Sequence, residues 1–350
     1  MSSLASHVLP ELSRRHEIHY VTAGRETPKA EFAQVVRGRP WKYMNVAGFE
    51  LSHKVNRLYR DGRIDVAVVW ASIGFCLRGV PFVNLEGGSV YKEIRLFGAR
   101  LPAYKRLRFV PGLIHYVVPE MLCNRRAEKV VVPSEGLKAD LMALHHLPAD
   151  KVAVVYHGVE DRHMALYEKK KVGATVRAVF VGRLHFRKGI ADVLRAFVQR
   201  PDIDIEFWIA GDGPDRAVME AVAAGDRRVK LLGVVNRDQL DELLTQTSIF
   251  VFPTYYEGFG LALIEAMASG HAVVSYDIPV VREVLGDTGL LVAPGNAAGL
   301  MEQVARLARA PARIKDHAER AHLRARQFSW DDAVEALDRV IVEAASPTAR

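Results

Sequence analysis

The sequence predicts an α/β protein with two Rossmann-like, doubly wound domains that face each other across a cleft. Short apolar runs alternate with helical segments along the chain, a pattern typical of parallel strands covered by helices on both faces. The alternation stops at residues 159–174, which are rich in charge and poor in apolar side chains, and then begins again. We therefore predict a first domain at residues 1–158, a linker at 159–174 and a second domain at 175–327.

The composition is that of a soluble globular protein of 350 residues, with 49% hydrophobic and 25% charged residues. The sequence has no run of about 18 apolar residues that would predict a membrane-spanning helix, and its first residues lack the pattern of a secretory signal. Cys76 and Cys123 are the two cysteines, which favours a reducing compartment, so we expect a cytoplasmic protein. The formal net charge of +7 suits an anionic partner.

In the first domain, a helix with regularly spaced apolar residues is followed by short strands of continuous apolar character. Ser134 stands directly after one of these runs, where the cap of a helix is expected. The predicted elements are a helix at 4–15, strands at 18–22, 66–70, 81–85 and 129–133, a helix at 135–145 and a strand at 152–155.

The second domain repeats this pattern, and most of its strands lead into a helix. Such alternation indicates a parallel sheet, and open parallel sheets bind ligands at the carboxyl ends of their strands. The predicted strands lie at 178–182, 205–210, 229–232, 249–253, 272–276 and 289–292, and the predicted helices at 189–199, 214–224, 238–246, 260–269 and in the remainder of the chain.

The stretch at 251–270, VFPTYYEGFGLALIEAMASG, combines a buried strand, a glycine-containing loop and a helix. Gly258 and Gly260 allow the backbone to approach a ligand closely, and the start of a helix attracts a phosphate or diphosphate. Glu265 lies one to two turns inside the helix, where its carboxylate is able to accept both hydroxyls of a ribose. Glu257, in the loop, is placed to accept hydrogen bonds from a sugar. The alternative is a glycine-rich turn with an ordinary surface glutamate.

A second candidate segment, FVGRLHFRKG at 180–189, follows the first strand of this domain. Arg183 and Lys188 lie on a loop that opens a helix, and two cations beside a helix start are suited to neutralising a departing diphosphate. Arginine grips such a group with two bonds, whereas lysine acts as a point charge. Arg187 is expected to face the solvent. The alternative is a solvated basic loop.

These two segments resemble the donor-site motifs of the GT-B retaining glycosyltransferases, in particular those of the group 1, family 4 branch. The family's signature of two acids separated by seven residues appears here as Glu257, Gly258, Phe259, Gly260, Leu261 and, at its end, Glu265. The resemblance is closest over residues 176–295, moderate over 124–158 and weak before that.

The resemblance implies transfer of a hexosyl unit from a nucleotide diphosphate sugar, with retention at the anomeric carbon. It also implies that segment 328–350 contains a helix that packs back on the first domain. The residues implied in catalysis are Arg183, Lys188, Glu257 and Glu86. Those implied in substrate binding are Gly258, Phe259, Gly260, Leu261, Glu265, Gly211, Gly213 and Val234.

No cofactor or metal is expected, since motifs that bind metals are missing from the sequence. Asp202 and Asp204 have the spacing of a metal-binding Asp-x-Asp motif. They precede a strand, however, and so lie at the end of the sheet where ligands are not expected. We therefore interpret them as part of a turn.

Two features of the first domain depart from the family pattern. The sequence begins with a helix, so the leading strand and its glycine-rich loop are expected to be missing. Glu86, in the segment NLEGGS at 84–89, stands where many relatives carry a histidine directed at the reaction centre. A carboxylate there is able to accept the proton of the acceptor hydroxyl. The alternative for Glu86 is a helix-capping turn with a solvated side chain.

The segment Lys92–Arg108 contains six basic residues and one acid, with apolar residues interleaved. We hypothesise that it binds an anionic membrane surface and brings the enzyme to a lipid-linked acceptor. The alternatives are a solvated basic face and a site for a phosphosugar acceptor. Nucleic acid is not expected as a partner, because no nucleic-acid-binding motif accompanies the charge.

The sequence therefore predicts a glycosyltransferase of cell-envelope polysaccharide biosynthesis, located in the cytoplasm or on the inner face of the membrane. Its partners are a nucleotide sugar donor and a glycan, lipid-linked or phosphosugar acceptor. The rival hypothesis is a catalytically silent sugar-nucleotide-binding subunit, which follows from the missing strand and from Glu86.

Overall fold

The computed structural model describes residues 3–22, 28–37, 44–99, 116–170 and 175–346. The chain forms two compact units. The first unit comprises Met1–Gly158 together with Trp330–Arg350, and the second comprises Val159–Ser329.

The second unit is built on a parallel sheet of six strands in the order β12-β11-β10-β7-β8-β9. Its order runs outward in both directions from the neighbours β7 and β10, which is the arrangement of a Rossmann-like sheet. The strands are β7 (Arg177–Val181), β8 (Glu206–Ala210), β9 (Val229–Gly233), β10 (Ile249–Phe252), β11 (Ala272–Tyr276) and β12 (Leu290–Val292).

Helices cover both faces of this sheet. Strand β10 shows why, since Phe250 and Phe252 pack into one hydrophobic cluster while Ile249 and Val251 pack into another. Side chains alternate between the faces of a strand, so a strand with no polar residue requires apolar cover on both sides. The helices are α6 (Asp161–Leu166), α7 (Ile190–Val198), α8 (Arg216–Ala223), α9 (Arg237–Gln246), α10 (Leu261–Ala268), α11 (Pro279–Leu285), α12 (Ala297–Ala308) and α13 (Pro311–Ala325).

The first unit contains a four-stranded parallel sheet in the order β3-β4-β5-β6 and a separate parallel pair, β1-β2. The first element that the structure describes is a helix, α1, as the sequence predicts. The strands are β1 (His19–Thr22), β2 (Gln34–Arg37), β3 (Ala67–Trp70), β4 (Phe82–Leu85), β5 (Lys129–Val132) and β6 (Val152–Val154). The helices are α1 (Ser3–Leu12), α2 (Met44–Arg60), α3 (Val90–Ala99), α4 (Val118–Arg126), α5 (Glu135–His145) and, from the end of the chain, α14 (Trp330–Ala345).

Helix α14 packs against α1 and strand β4 of the first unit. Its buried face includes Val334 and Leu337, which join a hydrophobic cluster with residues of α1 and β4. Arg15, just after α1, forms an ion pair with Asp338 at 3.0 Å, and His16 lies 2.5 Å from the same carboxylate. The end of the chain thus completes the core of the first unit.

The segment predicted as a linker, 159–174, differs from that expectation over its described part. Residues 161–166 form α6, whose Leu166 is buried, and the amide of Val159 donates to the carbonyl of Phe328 at 3.0 Å. Lys170 is partly buried, and its ammonium group donates to the carbonyls of Leu244 and Thr247 at 2.8 and 2.6 Å. A lysine whose ammonium group is held by backbone carbonyls runs against the composition rule that predicted a linker. Residues 171–174 lie outside the described residues.

Among the parts of the chain that the structure describes, no helix is both long enough and apolar enough to cross a membrane.

Candidate functional site

Two loops of the second unit leave neighbouring strands at the point where the strand order reverses. The loop after β7, residues 182–189, contains Arg183 and Lys188, and is named the cation loop. The loop after β10, residues 253–260, contains Glu257, and is named the glutamate loop. Ligands of open α/β sheets bind outside the carboxyl ends of the strands at this reversal. Both segments predicted from the sequence therefore lie at the edge expected of a site.

Direct contacts fix the two loops to each other. The carbonyl of Arg187 accepts hydrogen bonds from the amide of Tyr255 at 2.8 Å and from the hydroxyl of Thr254 at 3.4 Å. Gly189 has φ +66° and packs so closely that a Cβ atom would lie 2.1 Å from the carbonyl oxygen of Pro253. A side chain at this position is therefore excluded both by the backbone conformation and by space.

Lys188 and Glu257 form an ion pair, and both side chains are largely buried. The ammonium group of Lys188 also lies 5.5 Å from the centre of the Phe252 ring, within the range of a cation–π contact. Arg183 is exposed, and its side chain has no hydrogen bond or ion pair with any residue that the structure describes. In the cation loop, Lys188 is therefore paired with an acid, whereas the guanidinium of Arg183 is accessible to an anion.

Helix α10 begins directly after Gly260, which has φ +98°. A positive φ favours glycine, because in any other residue the Cβ atom would lie too close to the neighbouring backbone. Phe259 is buried and meets Phe328 edge to face, with 5.6 Å between the ring centres, whereas Leu261 is partly buried. Anchoring by Phe259 fixes the direction of the first amide groups of α10, which are the groups that suit an anion.

Glu265 lies on α10 and is partly buried, and its carboxylate accepts no hydrogen bond from any described residue. Burial raises the pKa of its carboxyl to about 7, and the charge of Arg162 opposes this shift more than any other charge does. A carboxylate that is desolvated and without a partner has a free-energy reason to accept hydroxyl groups of a ligand.

Gly211 and Gly213 lie against the backbone of the cation loop. A Cβ atom on Gly211 would lie 1.9 Å from the carbonyl oxygen of Gly182, and one on Gly213 would lie 2.2 Å from that of Leu184. The amide of Leu184 donates to the carbonyl of Asp212 at 2.9 Å. Glycine at these two positions therefore allows the chain after β8 to pack directly against the backbone of the cation loop.

Val234 follows β9 and is 77% exposed. Such exposure of an apolar residue leaves it free to contact a flat ligand group, so its role in substrate binding stays a prediction. Asp202 and Asp204 precede β8, at the opposite end of the strands from the two loops. Asp202 pairs with Arg200 at 2.7 Å.

Glu86 lies in the first unit, directly after β4, and is 5% exposed. It accepts a hydrogen bond from the amide of Asn84 at 3.0 Å, and Asn84 also donates to Asn124 at 2.6 Å. Burial, and then the charge of Glu120, raises the pKa of Glu86 to about 8. The alternative of a solvated, helix-capping Glu86 is wrong, because the side chain is buried. It is Glu120 that accepts from the first amide of α3, that of Val90, at 2.9 Å.

The basic segment Lys92–Arg108 is described only at its start, and residues 100–108 lie outside the described residues. Lys92 forms an ion pair with Asp140 at 2.5 Å, whereas Arg95 is exposed. Lys92 is therefore engaged with another part of the protein, whereas Arg95 faces the solvent.

The structure also shows contacts at the site that the motifs did not indicate. The hydroxyl of Tyr255 donates to Asp192 of α7 at 3.0 Å, which ties the glutamate loop to the helix after the cation loop. Arg162 was missed because it lies in the segment predicted as a linker. The only signal for it in the sequence was the short run of charged residues at Glu160, Asp161 and Arg162.

Comparison with known proteins agrees with this arrangement. Residues 175–310 match the family model of glycosyl transferases group 1, and residues 2–163 match that of Glycosyltransferase Family 4. The 2-deoxystreptamine glucosyltransferase of Streptomyces kanamyceticus is 33% identical over 278 residues, which cover 74% of this chain and 69% of that protein. The O-antigen chain mannosyltransferase B of Escherichia coli is 24% identical, over 59% of this chain and 58% of that protein.

Another relative, a glycosyltransferase of Methanocaldococcus jannaschii, is 32% identical over 51% of this chain and 50% of its own length. The chain thus spans only half to somewhat more than half of several curated relatives that it matches.

Solved structures show the fold. WaaG, a glycosyltransferase involved in lipopolysaccharide biosynthesis, superposes with a TM-score of 0.75 at 18% identity, over 97% of this chain and 96% of WaaG. Anabaena HepE in complex with UDP and glucose superposes with a TM-score of 0.71 at 17% identity, over 97% of this chain and 95% of HepE. The family matches, the 33% identical relative and these neighbours agree, and the chain belongs to the group 1 glycosyltransferases of family 4, with the GT-B fold of two Rossmann-like domains.

Proposed function

We propose that the protein transfers a hexosyl unit from a nucleotide diphosphate sugar to an acceptor hydroxyl, with retention at the anomeric carbon and without a metal ion. The observation that carries this proposal is the joining of the cation loop to the glutamate loop at the reversal of the sheet. This arrangement brings two cations, a helix start and two acids to one edge of one unit.

The donor would bind along this edge in a defined direction. The Glu265 carboxylate accepts the two ribose hydroxyls, and the first amides of α10 face the diphosphate. The Glu257 carboxylate accepts hydrogen bonds from hydroxyl groups of the hexose. Gly258, before the start of α10, and Leu261, at its start, lie beside the path of the diphosphate.

The chemical step breaks the bond between the anomeric carbon and the diphosphate, and forms a bond to the acceptor oxygen. The departing diphosphate gains negative charge, which Arg183, Lys188 and the helix start stabilise. These protein groups supply positive charge of the kind that a metal ion would otherwise bring. The acceptor's proton passes to a base. Glu86, whose pKa is about 8, serves as that base only in its ionised form.

The relatives suggest which donors and acceptors to test first. HepE was solved with UDP-glucose, and the Streptomyces kanamyceticus relative is a 2-deoxystreptamine glucosyltransferase. We therefore propose UDP-glucose as the first donor to test, with GDP-mannose as the second because of the mannosyltransferase relative. The proposed acceptor classes are a glycan, a lipid-linked sugar and a phosphosugar. We add 2-deoxystreptamine, because the Streptomyces kanamyceticus relative is named for it.

A thermal-shift screen of nucleotide sugars tests the donor site. A ligand at 100 times its Kd stabilises the folded state by about 2.7 kcal/mol, which raises the melting temperature measurably. Transfer and donor hydrolysis are then measured with the best donor, in buffer containing EDTA, and the anomeric configuration of the product is read by NMR. Binding without transfer or hydrolysis would favour the silent subunit, and an inverted product would contradict retention.

Two substitutions separate the roles within the site. Arg183→Ala is expected to lower kcat by about 10²- to 10³-fold, because the guanidinium acts on charge that develops in the transition state. Glu265→Ala is expected to weaken donor binding by about tenfold or more, since each lost hydrogen bond to a charged group costs about 1.5–3 kcal/mol. Unchanged kinetics in both variants would remove the basis of the proposed site.

We further propose that the protein binds an anionic membrane surface through Lys92–Arg108. The exposure of Arg95 and the basic character of the segment support this proposal. Cosedimentation with vesicles of rising anionic lipid content provides the measurement. Binding that does not change with the anionic lipid content would contradict the proposed membrane binding.

A further inference from the structure

Five polar side chains form a buried group at the end of strand β4, which we name the amide network. They come from β4 and the residue after it, from helix α4 and from the last turn of helix α5. Each of the five is at most 5% exposed. Burying polar groups costs free energy unless they bind one another, so the contacts within the group decide what it does. The members are Asn84, Glu86, Glu120, Asn124 and His145.

Hydrogen bonds run through the amide network in one direction. The side-chain amide nitrogen of Asn84 donates to Oε1 of Glu86 at 3.0 Å and to Oδ1 of Asn124 at 2.6 Å. Because the oxygen of Asn124 faces Asn84, its amide nitrogen faces His145 and donates to Nδ1 of that ring at 3.1 Å. A continuous path of three hydrogen bonds therefore joins Glu86 to His145.

The position of the proton on His145 follows from these contacts. An imidazole nitrogen that accepts a hydrogen bond carries no proton, so the neutral ring carries its proton on Nε2. Nε2 lies 3.4 Å from Oε1 of Glu120, whose other oxygen accepts from the amide of Val90 at 2.9 Å. The opposite tautomer would place two acceptors against each other. Burial, and then the charge of Arg125, lowers the pKa of His145 to about 4, so the ring is neutral near pH 7.

This proton position limits how the two amides are able to turn. If both amide groups turned over, the oxygen of Asn124 would face the unprotonated Nδ1 of His145, which opposes two acceptors. The oxygen of Asn84 would then face Glu86. That contact suits a protonated Glu86, which donates, and repels an ionised one. The observed orientation instead places an N–H group on Glu86, and a hydrogen bond from an N–H group favours an ionised carboxylate.

We propose that His145 is a positioning residue for Glu86: through Asn124 and Asn84 it selects the amide orientation that offers an N–H group to Glu86, and so favours the ionised form of this acid. The inference rests on the proposed function, in which ionised Glu86 takes the proton of the acceptor. His145 acts only through the two amides in this scheme.

Other charged or titratable groups lie near the two ends of this path. The charge of Glu120 raises the pKa of Glu86, second to burial. The charges of Arg125 and His146 oppose protonation of the His145 ring. The Cys123 thiol stays neutral, because burial raises its pKa. All of these groups are unchanged in the variants below, so a difference between variants reports on the path itself. They are Glu120, Cys123, Arg125 and His146.

The test follows the titration of Glu86 without relying on activity. Urea unfolding of the full chain is measured from about pH 5 to about pH 10, for each protein and for the same protein with Glu86→Gln. The stability of the Glu86 protein relative to its Gln partner falls as the pH rises, and becomes constant above the folded-state pKa of Glu86, which is about 8 in the wild type. The pH at which this difference becomes constant is named the endpoint.

Two substitutions of His145 separate its acceptor from its bulk. His145→Leu removes the acceptor, so the amides are free to turn and the endpoint is expected to rise by about one pH unit. His145→Asn keeps an acceptor at the position of Nδ1, so its endpoint is expected to stay close to that of the wild type. Leucine fills the space of the ring better than asparagine does. A role in packing alone would therefore make His145→Leu the milder change and leave every endpoint in place.

Asn124→Leu breaks the same path one step nearer to Glu86 and is expected to raise the endpoint by a similar amount. It decides the question if His145→Leu does not fold. Endpoints that stay at the wild-type pH in both leucine variants would overturn the role of His145, and so would an equal rise in His145→Asn.

The pH profile of transfer separates this inference from the proposed function. The rise of kcat/KM with pH is expected to move with the endpoint in His145→Leu. The KM for the donor is expected to stay unchanged, because the donor-site residues belong to the second unit. If Glu86→Gln transfers as fast as the wild type while the endpoints shift, Glu86 is not the base and the positioning role stands. A wild-type protein that transfers no sugar would overturn the proposed function, and the unfolding measurements would still decide the role of His145.

Discussion

The ion pair between Lys188 and Glu257 joins a cation predicted to hold the diphosphate to an acid predicted to hold the sugar. Glu257→Gln frees the ammonium group and removes a negative charge from beside the diphosphate position. The affinity for a nucleoside diphosphate alone is therefore expected to rise about threefold to tenfold, for a gain near 1 kcal/mol. Transfer activity is expected to fall, because the sugar loses a charged acceptor.

Calorimetry with the nucleoside diphosphate and a transfer assay with the intact donor measure these two effects separately. Glu319→Gln, an exposed residue on α13, makes the same chemical change away from the site. A Glu257→Gln protein that binds the diphosphate less tightly would contradict the assignment of Glu257 to the sugar.

Glu86 leads to a prediction about stability. Its folded-state pKa of about 8 lies above the ordinary value of 4.5, so the folded protein binds a proton that the unfolded chain releases. This contribution is fully present below about pH 4.5 and is lost as the pH rises to 8. Glu86→Gln does not titrate, and its stability relative to wild type is expected to increase across this range, by an amount on the order of a few kcal/mol.

Urea unfolding at pH 5 and pH 8 provides the measurement, with Glu319→Gln as the control for an exposed carboxylate. An equal difference between Glu86→Gln and wild type at both pH values would show that Glu86 titrates normally.

At the scale of elements, the two loops depend on glycines that bring backbones together. Gly189 and Gly225 both have positive φ, but a Cβ atom on Gly225 would meet nothing within 4 Å. Alanine at either site is expected to cost about 1 kcal/mol for the backbone conformation. Gly189→Ala adds a clash with the carbonyl of Pro253, so it is expected to destabilise the protein by about 2 kcal/mol more and to weaken donor binding.

Chemical unfolding of the two variants measures the difference directly, and nucleotide binding shows whether the cation loop has moved. Similar stability and similar binding in both variants would mean that the contact between the loops contributes little.

The sequence predicted the strands of the second unit well, because fully buried strands such as β10 have no polar residues and are flanked by glycine or proline. The cation loop and the glutamate loop could be found for the same reason, since each follows a strand at a place where the chain must turn. The partnership of Lys188 with Glu257 could not be predicted, because it joins residues 69 positions apart. Pairing in space depends on strand order, which local patterns do not contain.

The first unit was harder to interpret from sequence. Glu86 was assigned either a catalytic role or a solvated capping role. The structure rules out the solvated role, because it buries the side chain in a group with Asn84, Asn124 and Glu120, and the catalytic role stays a prediction. Burial of polar residues depends on partners distant in the chain, and composition alone favours placing them at the surface. Helix α6 was not predicted, because the many charged residues in this segment outnumber its apolar residues, of which Leu166 is buried.

At the scale of the whole molecule, the chain leaves the first unit after Gly158 and returns to it at Trp330. Helix α14 therefore stabilises a unit from which it is distant in sequence. Val334 and Val342 allow this role to be tested with one kind of substitution on one helix, since Val334 is 3% exposed and Val342 is 52% exposed.

Val334→Ala removes two methyl groups from a cluster that includes Leu4, Val8 and Leu85, and is expected to destabilise the first unit by about 2 kcal/mol. Val342→Ala is expected to change stability by less than about 0.5 kcal/mol, because the site is exposed. Hydrogen exchange followed by mass spectrometry resolves the two units. Protection should fall in α1 and β4 of Val334→Ala and stay unchanged in β10, because each unit has its own core. Equal loss of protection in β10 would mean that the two units unfold as one.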